Sequence, residues 1–183
     1  MRLIDKIILY LVVFLAFAIL VHGQSVFDPS STEILNLNNR ENQVLIQHNN
    51  EVFLQQIGVG NQTVVVQHSQ MNGANVASIT QYGQLHQVFL NQYGTNNIAD
   101  HRQEGSMNLI DVIEHGNLIS STTLQSGSNN RIYQELGTNR ASYRIIQQGS
   151  DHEVIDLGFS TSNPGYTIKQ TGLVGMKVVI KHH

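Results

Sequence analysis

The chain has 183 residues, no cysteine, no tryptophan, two prolines, 13% charged residues and a formal net charge of -3. These numbers exclude a disulfide-stapled core and offer no basic surface, so nucleic acid is not an expected partner. Frequent Gln, Asn and Gly with few charges favour uninterrupted strand ladders over a conventional mixed core.

In chain order, Arg2 and Lys6 flank the start of an apolar stretch, Ile7 to Leu20, that leads to Val21, His22 and Gly23. This pattern predicts a secretory signal peptide over residues 1–23, cut after Gly23. The apolar run is too short for a comfortable membrane span. Residues 24–49 carry Pro29 and no clean register, as expected of a linker or export segment. Residues 50–183 form one repeat array with no sign of a second domain.

The array is set by Gln81, Gln92, Gln103, Glu114 and Gln125, spaced by eleven residues, each followed two residues later by Gly83, Gly94, Gly105, Gly116 and Gly127. Five residues after the Gln stand His86, Asn97, Asn108, Ile119 and Asn130. The phrase continues as Gln56, Gly58, Asn61 and Gln67 on one side and as Gln147, Gly149 and His152 on the other, then restarts at Gln170 and Gly172. Three extra residues fall between Gln67 and Gln81, Glu135 takes the next Gln slot, and Ser160 takes a glycine slot near Gly158 and Asn163.

Between slots the side chains alternate, with Asn75, Ala77, Ile79 and Gln81 on one face and Val76, Ser78 and Thr80 on the other. That is strand periodicity. Glycine supplies the turn by accepting positive φ. One strand and one turn use eleven residues, so two units make a coil, and a single coil cannot bury both its faces. The sequence therefore predicts an all-β solenoid of about six stacked strand-turn-strand coils with two facing parallel sheets.

Constant register stacks like on like. Gln56, Gln67, Gln81, Gln92, Gln103, Gln125, Gln147 and Gln170, with Asn61, Asn75, Asn97, Asn108 and Asn130, are expected to form amide ladders, each side chain donating to one neighbour and accepting from the other. Solvated turn residues would explain any one of these positions but not their common spacing. The glycines of the turns are Gly58, Gly83, Gly94, Gly105, Gly116, Gly127, Gly149 and Gly172. The last unit is strand-prone and basic through Lys169, Lys177, Val178, Val179, Ile180 and Lys181. Without a capping element, such a unit is expected to template a further chain, or to act as an attachment end, while its charge slows uncontrolled growth.

These residues resemble the curlin repeat, in which Ser, Gln, Gly, Asn, Ala and a second Gln recur at fixed spacing. The best copy is Gln92-Tyr93-Gly94-Thr95-Asn96-Asn97-Ile98-Ala99, ending at Gln103. Departures are frequent: His86 holds a Ser slot, and Thr63, Val88, Ile110 and Ile132 hold Ala slots. The degenerate units and the Lys169, Lys177 and Lys181 cluster look more like the minor curlin subunit than the major one. The resemblance implies a structural subunit of an extracellular amyloid fibre, secreted across the outer membrane, that nucleates polymerisation at the cell surface. Its implied partners are the major curlin subunit, further copies of itself, the outer-membrane export machinery and the outer-membrane surface.

The alternatives are a major fibre subunit, a monomeric solenoid adhesin, or a β-helix enzyme acting on polysaccharide. The last needs acid and base carboxylates gathered on one face, whereas Asp100, Asp111, Glu114 and Asp156 alternate between inward and outward positions. No catalytic residue, cofactor or metal site is expected, since the nine histidines show no metal-ligand spacing.

Overall fold

A strand with one apolar face must be covered by another element, and here the cover is the facing strand of the same coil. The computed structural model describes residues 33–35, 42–46, 49–69, 73–157 and 164–182. The expected leader and its cleavage site lie outside the described residues.

Among the described residues there are fourteen strands and no helix: β1 (Glu33–Leu35), β2 (Asn42–Ile46), β3 (Glu51–Val59), β4 (Gln62–His68), β5 (Val76–Gln84), β6 (Gln87–Tyr93), β7 (Ile98–Ser106), β8 (Leu109–His115), β9 (Ser120–Ser128), β10 (Arg131–Gly137), β11 (Ser142–Ser150), β12 (Glu153–Leu157), β13 (Gly165–Gly172) and β14 (Lys177–Lys181). One sheet has the order β1-β2-β4-β6-β8-β10-β12-β14 and the other β13-β11-β9-β7-β5-β3. All neighbours are parallel except β1, which runs antiparallel on β2. Successive strands alternate between the sheets, so β3 with β4 forms the first of six coils and β13 with β14 the last. The chain is a β-solenoid. Its stack extends into the segment read as a linker, because β2 pairs with β4.

The coil repeat is 22 residues in the centre, as between Gln81 and Gln103. It is 25 at the first step, from Gln56 to Gln81, where the three extra residues are absorbed, and 23 at the last, from Gln147 to Gln170. Inward and outward positions alternate as expected: Ala77, Ile79 and Gln81 are buried in β5, and Val88, Leu90 and Gln92 in β6.

One expected slot is corrected. Leu136, not Glu135, continues the Gln column: it is buried and pairs with Glu114, while Glu135 points outward beside Ile113. The eleven-residue spacing from Gln125 is thus kept and only the side chain changes. Residues 158–163, with the expected Ser160 slip, lie outside the described residues.

The glycines are also needed for a different reason than the corner of the turn. The left-handed corners fall two residues later, on Leu85, Met107, Asn129 and Asp151 on one side and Asn96, Leu118 and Arg140 on the other, all with φ near +55 to +60°. At Gly127 (φ +122°) a Cβ would lie 1.9 Å from the carbonyl oxygen of Gly149, and at Gly105 it would lie 2.1 Å from that of Gly127. The arcs stack so closely that any side chain at this column strikes the backbone of the next coil.

Gly127→Ala is therefore expected to cost about 2–4 kcal/mol, from backbone collision and strained φ together. Gly60→Ala, at φ +68° with only the flexible end of Leu85 close by, should cost about 1 kcal/mol. Thermal unfolding of the soluble chain checks both, and equal effects would contradict the steric account.

Candidate functional site

Parallel stacking at constant register places the Gln side chains of β3, β5, β7, β9, β11 and β13 directly over one another. Their amides form one continuous column: Gln56 Nε2 donates to Gln81 Oε1 at 2.5 Å, Gln81 to Gln103 at 2.8 Å, Gln103 to Gln125 at 2.9 Å, Gln125 to Gln147 at 2.8 Å and Gln147 to Gln170 at 2.7 Å. The second amide hydrogen crosses to the facing sheet, from Gln103 to the Gln87 carbonyl at 3.0 Å and from Gln125 to that of Leu109 at 2.9 Å. The column thus pins coil to coil and sheet to sheet. Each buried amide would cost about 1–3 kcal/mol if left unpaired.

The other sheet carries a shorter column. Gln67 donates to Gln92 at 2.7 Å and Gln92 to Glu114 Oε2 at 2.8 Å, while Ser121 donates to Glu114 Oε1. There it stops, because Leu136 offers nothing to bond. Burial pushes the Glu114 carboxyl up to about 7, opposed by the hydrogen bonds from Ser121 and Gln92.

The Asn residues do not stack amide on amide. Each bonds to the backbone of the next coil instead: Asn108 Oδ1 accepts from the Asn130 N–H at 3.0 Å, and Asn108 Nδ2 donates to the carbonyls of Glu104 at 3.0 Å and Gly127 at 3.1 Å. Asn75, Asn97 and Asn130 act the same way, and Asn61 Oδ1 accepts from the His86 N–H at 3.1 Å. The reason is position. These side chains start at the arc, where the backbone leaves the sheet ladder and exposes N–H and carbonyl groups within reach of a short amide.

His86 and His152 replace Asn in this column with the same bonding pattern. His86 Nδ1 faces the Asn108 N–H at 3.4 Å and its Nε2 faces the Tyr82 carbonyl at 3.0 Å; His152 Nδ1 accepts from the Met176 N–H at 3.1 Å and its Nε2 faces the Gln148 carbonyl at 3.1 Å. These partners assign the neutral tautomer with the proton on Nε2. Burial lowers the His86 pKa, offset in part by backbone bonds to Tyr82 and Gly105. His101 lies in the core between Ile79 and Thr123, where burial lowers it to about 4 against a backbone bond from Asp100.

The C-terminal coil brings together groups that were not foreseen. Gln134 donates to the Tyr166 hydroxyl at 2.8 Å, that hydroxyl donates to Asp156, and His182 Nε2 contacts Asp156 Oδ1 at 2.6 Å. Burial first and the Asp156 contact second raise the Tyr166 pKa. The signal that could have found this cluster is the replacement of small Ala77, Ala99 and Ser121 by Tyr143 and Tyr166 in the same inward column.

Of the expected templating residues, Val178 and Ile180 face inward but stay half-exposed, Val179 is outward, and Lys177 pairs with Glu153 at 2.7 Å. The three lysines do not share a face: Lys169 is outward on β13, whereas Lys177 and Lys181 are outward on β14 of the other sheet. Among the described residues, β13 and β14 are terminal in their sheets. The amide column ends satisfied all the same, because Gln170 Nε2 donates to the carbonyls of Glu153 at 3.1 Å and Met176 at 2.7 Å. Comparison of the chain with protein-family models, with curated proteins and with solved structures gives no match.

Two titrations oppose each other in one pH window. Glu114 holds its proton more tightly folded than unfolded, so its contribution is fully present below about pH 4.5 and is lost as pH rises through about 7. His86 and His101 are held neutral, so their contribution is complete above about pH 6.5 and is lost as pH falls, for His101 down to about 4. Glu114→Gln is expected to stabilise the chain at pH 8 by about 2–3 kcal/mol and to leave stability that rises steadily from about pH 4 to 6.5. His86→Asn, which restores the Asn pattern, should make the acid side shallower. Denaturant unfolding across pH 4–8 reads both slopes, and an E114Q curve matching wild type would contradict the assignment.

Proposed function

We propose that this chain is a structural, non-catalytic subunit of a curlin-type extracellular fibre, and that it starts fibre growth from its C-terminal coil. The observation that carries this reading is the geometry of that coil. Both sheets end there on parallel strands, β13 and β14, whose outer backbone edges have no strand partner among the described residues. A parallel strand edge is a template for another chain. The register of the coil is also the one an added repeat needs, since Gln170 and Gly172 continue the columns of Gln147 and Gly149.

The two ends differ, which supports growth in one direction. At the other end the eight-stranded sheet finishes on β1, a reversed strand that interrupts parallel register. Regular subunits with cleaner Gln, Gly and Asn repeats are the fitting partners, together with further copies of this chain. Export across the outer membrane and attachment at the cell surface belong to the same proposal and rest on the curlin resemblance.

Mature chain held at micromolar concentration is expected to convert to thioflavin-positive, sheet-rich fibres; lasting monomer would favour a solenoid adhesin and reject the fibre reading. Trace amounts should shorten the lag of a regular curlin subunit. Deletion of residues 166–183 should weaken that seeding at least tenfold more than deletion of one central 22-residue coil, and equal effects would remove the C-terminal coil from its role.

A further inference from the structure

The outer faces of the two sheets differ in chemistry. The middle outward column of the six-stranded sheet reads Phe53, Ser78, Asp100, Thr122, Arg144 and Thr167. Over strands β4 to β14 that of the eight-stranded sheet reads Val64, Phe89, Asp111, Tyr133, Ile155 and Val179, with Gln43 of β2 next in register beyond Val64. Over these six strands the second column is apolar except at its centre, where, among the described residues, neither the Asp111 carboxylate nor the Tyr133 hydroxyl makes a hydrogen bond. Asp111 is half-buried, and that burial raises its pKa. A half-buried, unpaired carboxylate in an apolar stripe costs stability and gains nothing inside a single chain.

We propose that the outer face of the eight-stranded sheet is a lateral pairing surface for a second copy of this chain, with the two rods side by side and antiparallel. Antiparallel pairing about a two-fold axis matches the first coil with the sixth, the second with the fifth and the third with the fourth. Val64 then meets Val179, Phe89 meets Ile155, and Asp111 meets Tyr133, whose hydroxyl can donate to the carboxylate. The flanking columns agree: Gln62 meets Lys177, Gln87 meets Glu153 and Leu109 meets Arg131, with no like charges opposed. Parallel pairing would set Asp111 against Asp111 and Lys177 against Lys181.

Six strands about 4.8 Å apart and about seven residues long give each copy on the order of 500 Å2 of face, below the roughly 800 Å2 per partner of a stable interface. A single pair is therefore weak. Contact accumulates as rods lengthen, and this last point rests on the end-on growth proposed above.

The absence of cysteine makes the test clean. Facing sheets lie about 10 Å apart, too far for a direct disulfide, so Phe89→Cys and Ile155→Cys chains are mixed and treated with a short bis-maleimide that spans this gap. Treatment is done once on concentrated soluble protein and once after thioflavin-positive fibres form. The expected result is a cross-link between the two variants, several-fold above either variant alone and above a Thr122→Cys control on the other sheet. End-on stacking cannot produce it, because it leaves these positions three coils, about 14 Å, apart. Fibres without this cross-link would overturn lateral pairing and leave end-on growth standing; the cross-link without fibres would do the reverse. A Phe89–Phe89 product would overturn the antiparallel arrangement. Flotation of the chain with anionic phosphatidylglycerol vesicles, in place of any cross-link, would assign the face to a lipid surface and overturn the proposal.

Discussion

At Gly58, Gly83, Gly105, Gly127 and Gly149 a carbonyl oxygen of the next coil stands within about 2 Å of where a side chain would begin. This close approach governs the rest of the molecule. It lets the arcs follow each other as tightly as the strands do, so that backbone bonds continue around the corners, as from Met107 to Gln84 and from Asn129 to Ser106. A solenoid whose arcs splayed apart would lose strand register. With arcs this tight, a side chain at a given position meets the same position one coil above and one coil below, and, where it points inward, the facing sheet.

Column chemistry follows from that restriction. A primary amide is a donor on one side and an acceptor on the other, so a run of Gln links each side chain to the next and needs only a facing-sheet carbonyl for the second amide hydrogen. The run tolerates a Glu only at its end, where Glu114 accepts from Gln92 and Ser121 and passes nothing on to Leu136. The arc column has another requirement, an acceptor aimed at the next N–H and a donor aimed at a carbonyl. Asn meets it with its amide, and neutral imidazole meets it with two ring nitrogens at similar reach. Histidine in that slot keeps the architecture, and at His86 burial disfavours the charged ring.

The rod is not uniform along its length. Toward the C-terminal coil the apolar inward column Val65, Leu90, Val112 changes to Gln134 and Asp156, facing the paired rings of Tyr143 and Tyr166. The last coil is held by directional bonds among Gln134, Asp156, Tyr166 and His182 as well as by packing. Directional bonds keep a terminal strand in register where only one side of it is covered. That is the property an end needs if a further chain is to dock on it in register.

The repeat spacing determined the coil length and the Gln column, because each depends on which residues recur at eleven and twenty-two, and with the period-two alternation between the slots it determined the fold class and the inward and outward faces. Gly83 and Gly105 have the positive φ expected of them, but the sequence did not show that Leu85 and Met107 also turn with positive φ or how closely the next coil approaches the glycines. What only the tertiary structure decided are the relations across the arc and between the sheets. Asn108 bonds the backbone rather than another Asn, His86 acts as an Asn, Leu136 rather than Glu135 fills the slot, and Lys169 points away from Lys177. Periodicity states which residues share a column. Which atoms a side chain meets depends on how far the arc carries it from the strand axis, and that distance exists only once the coil has closed.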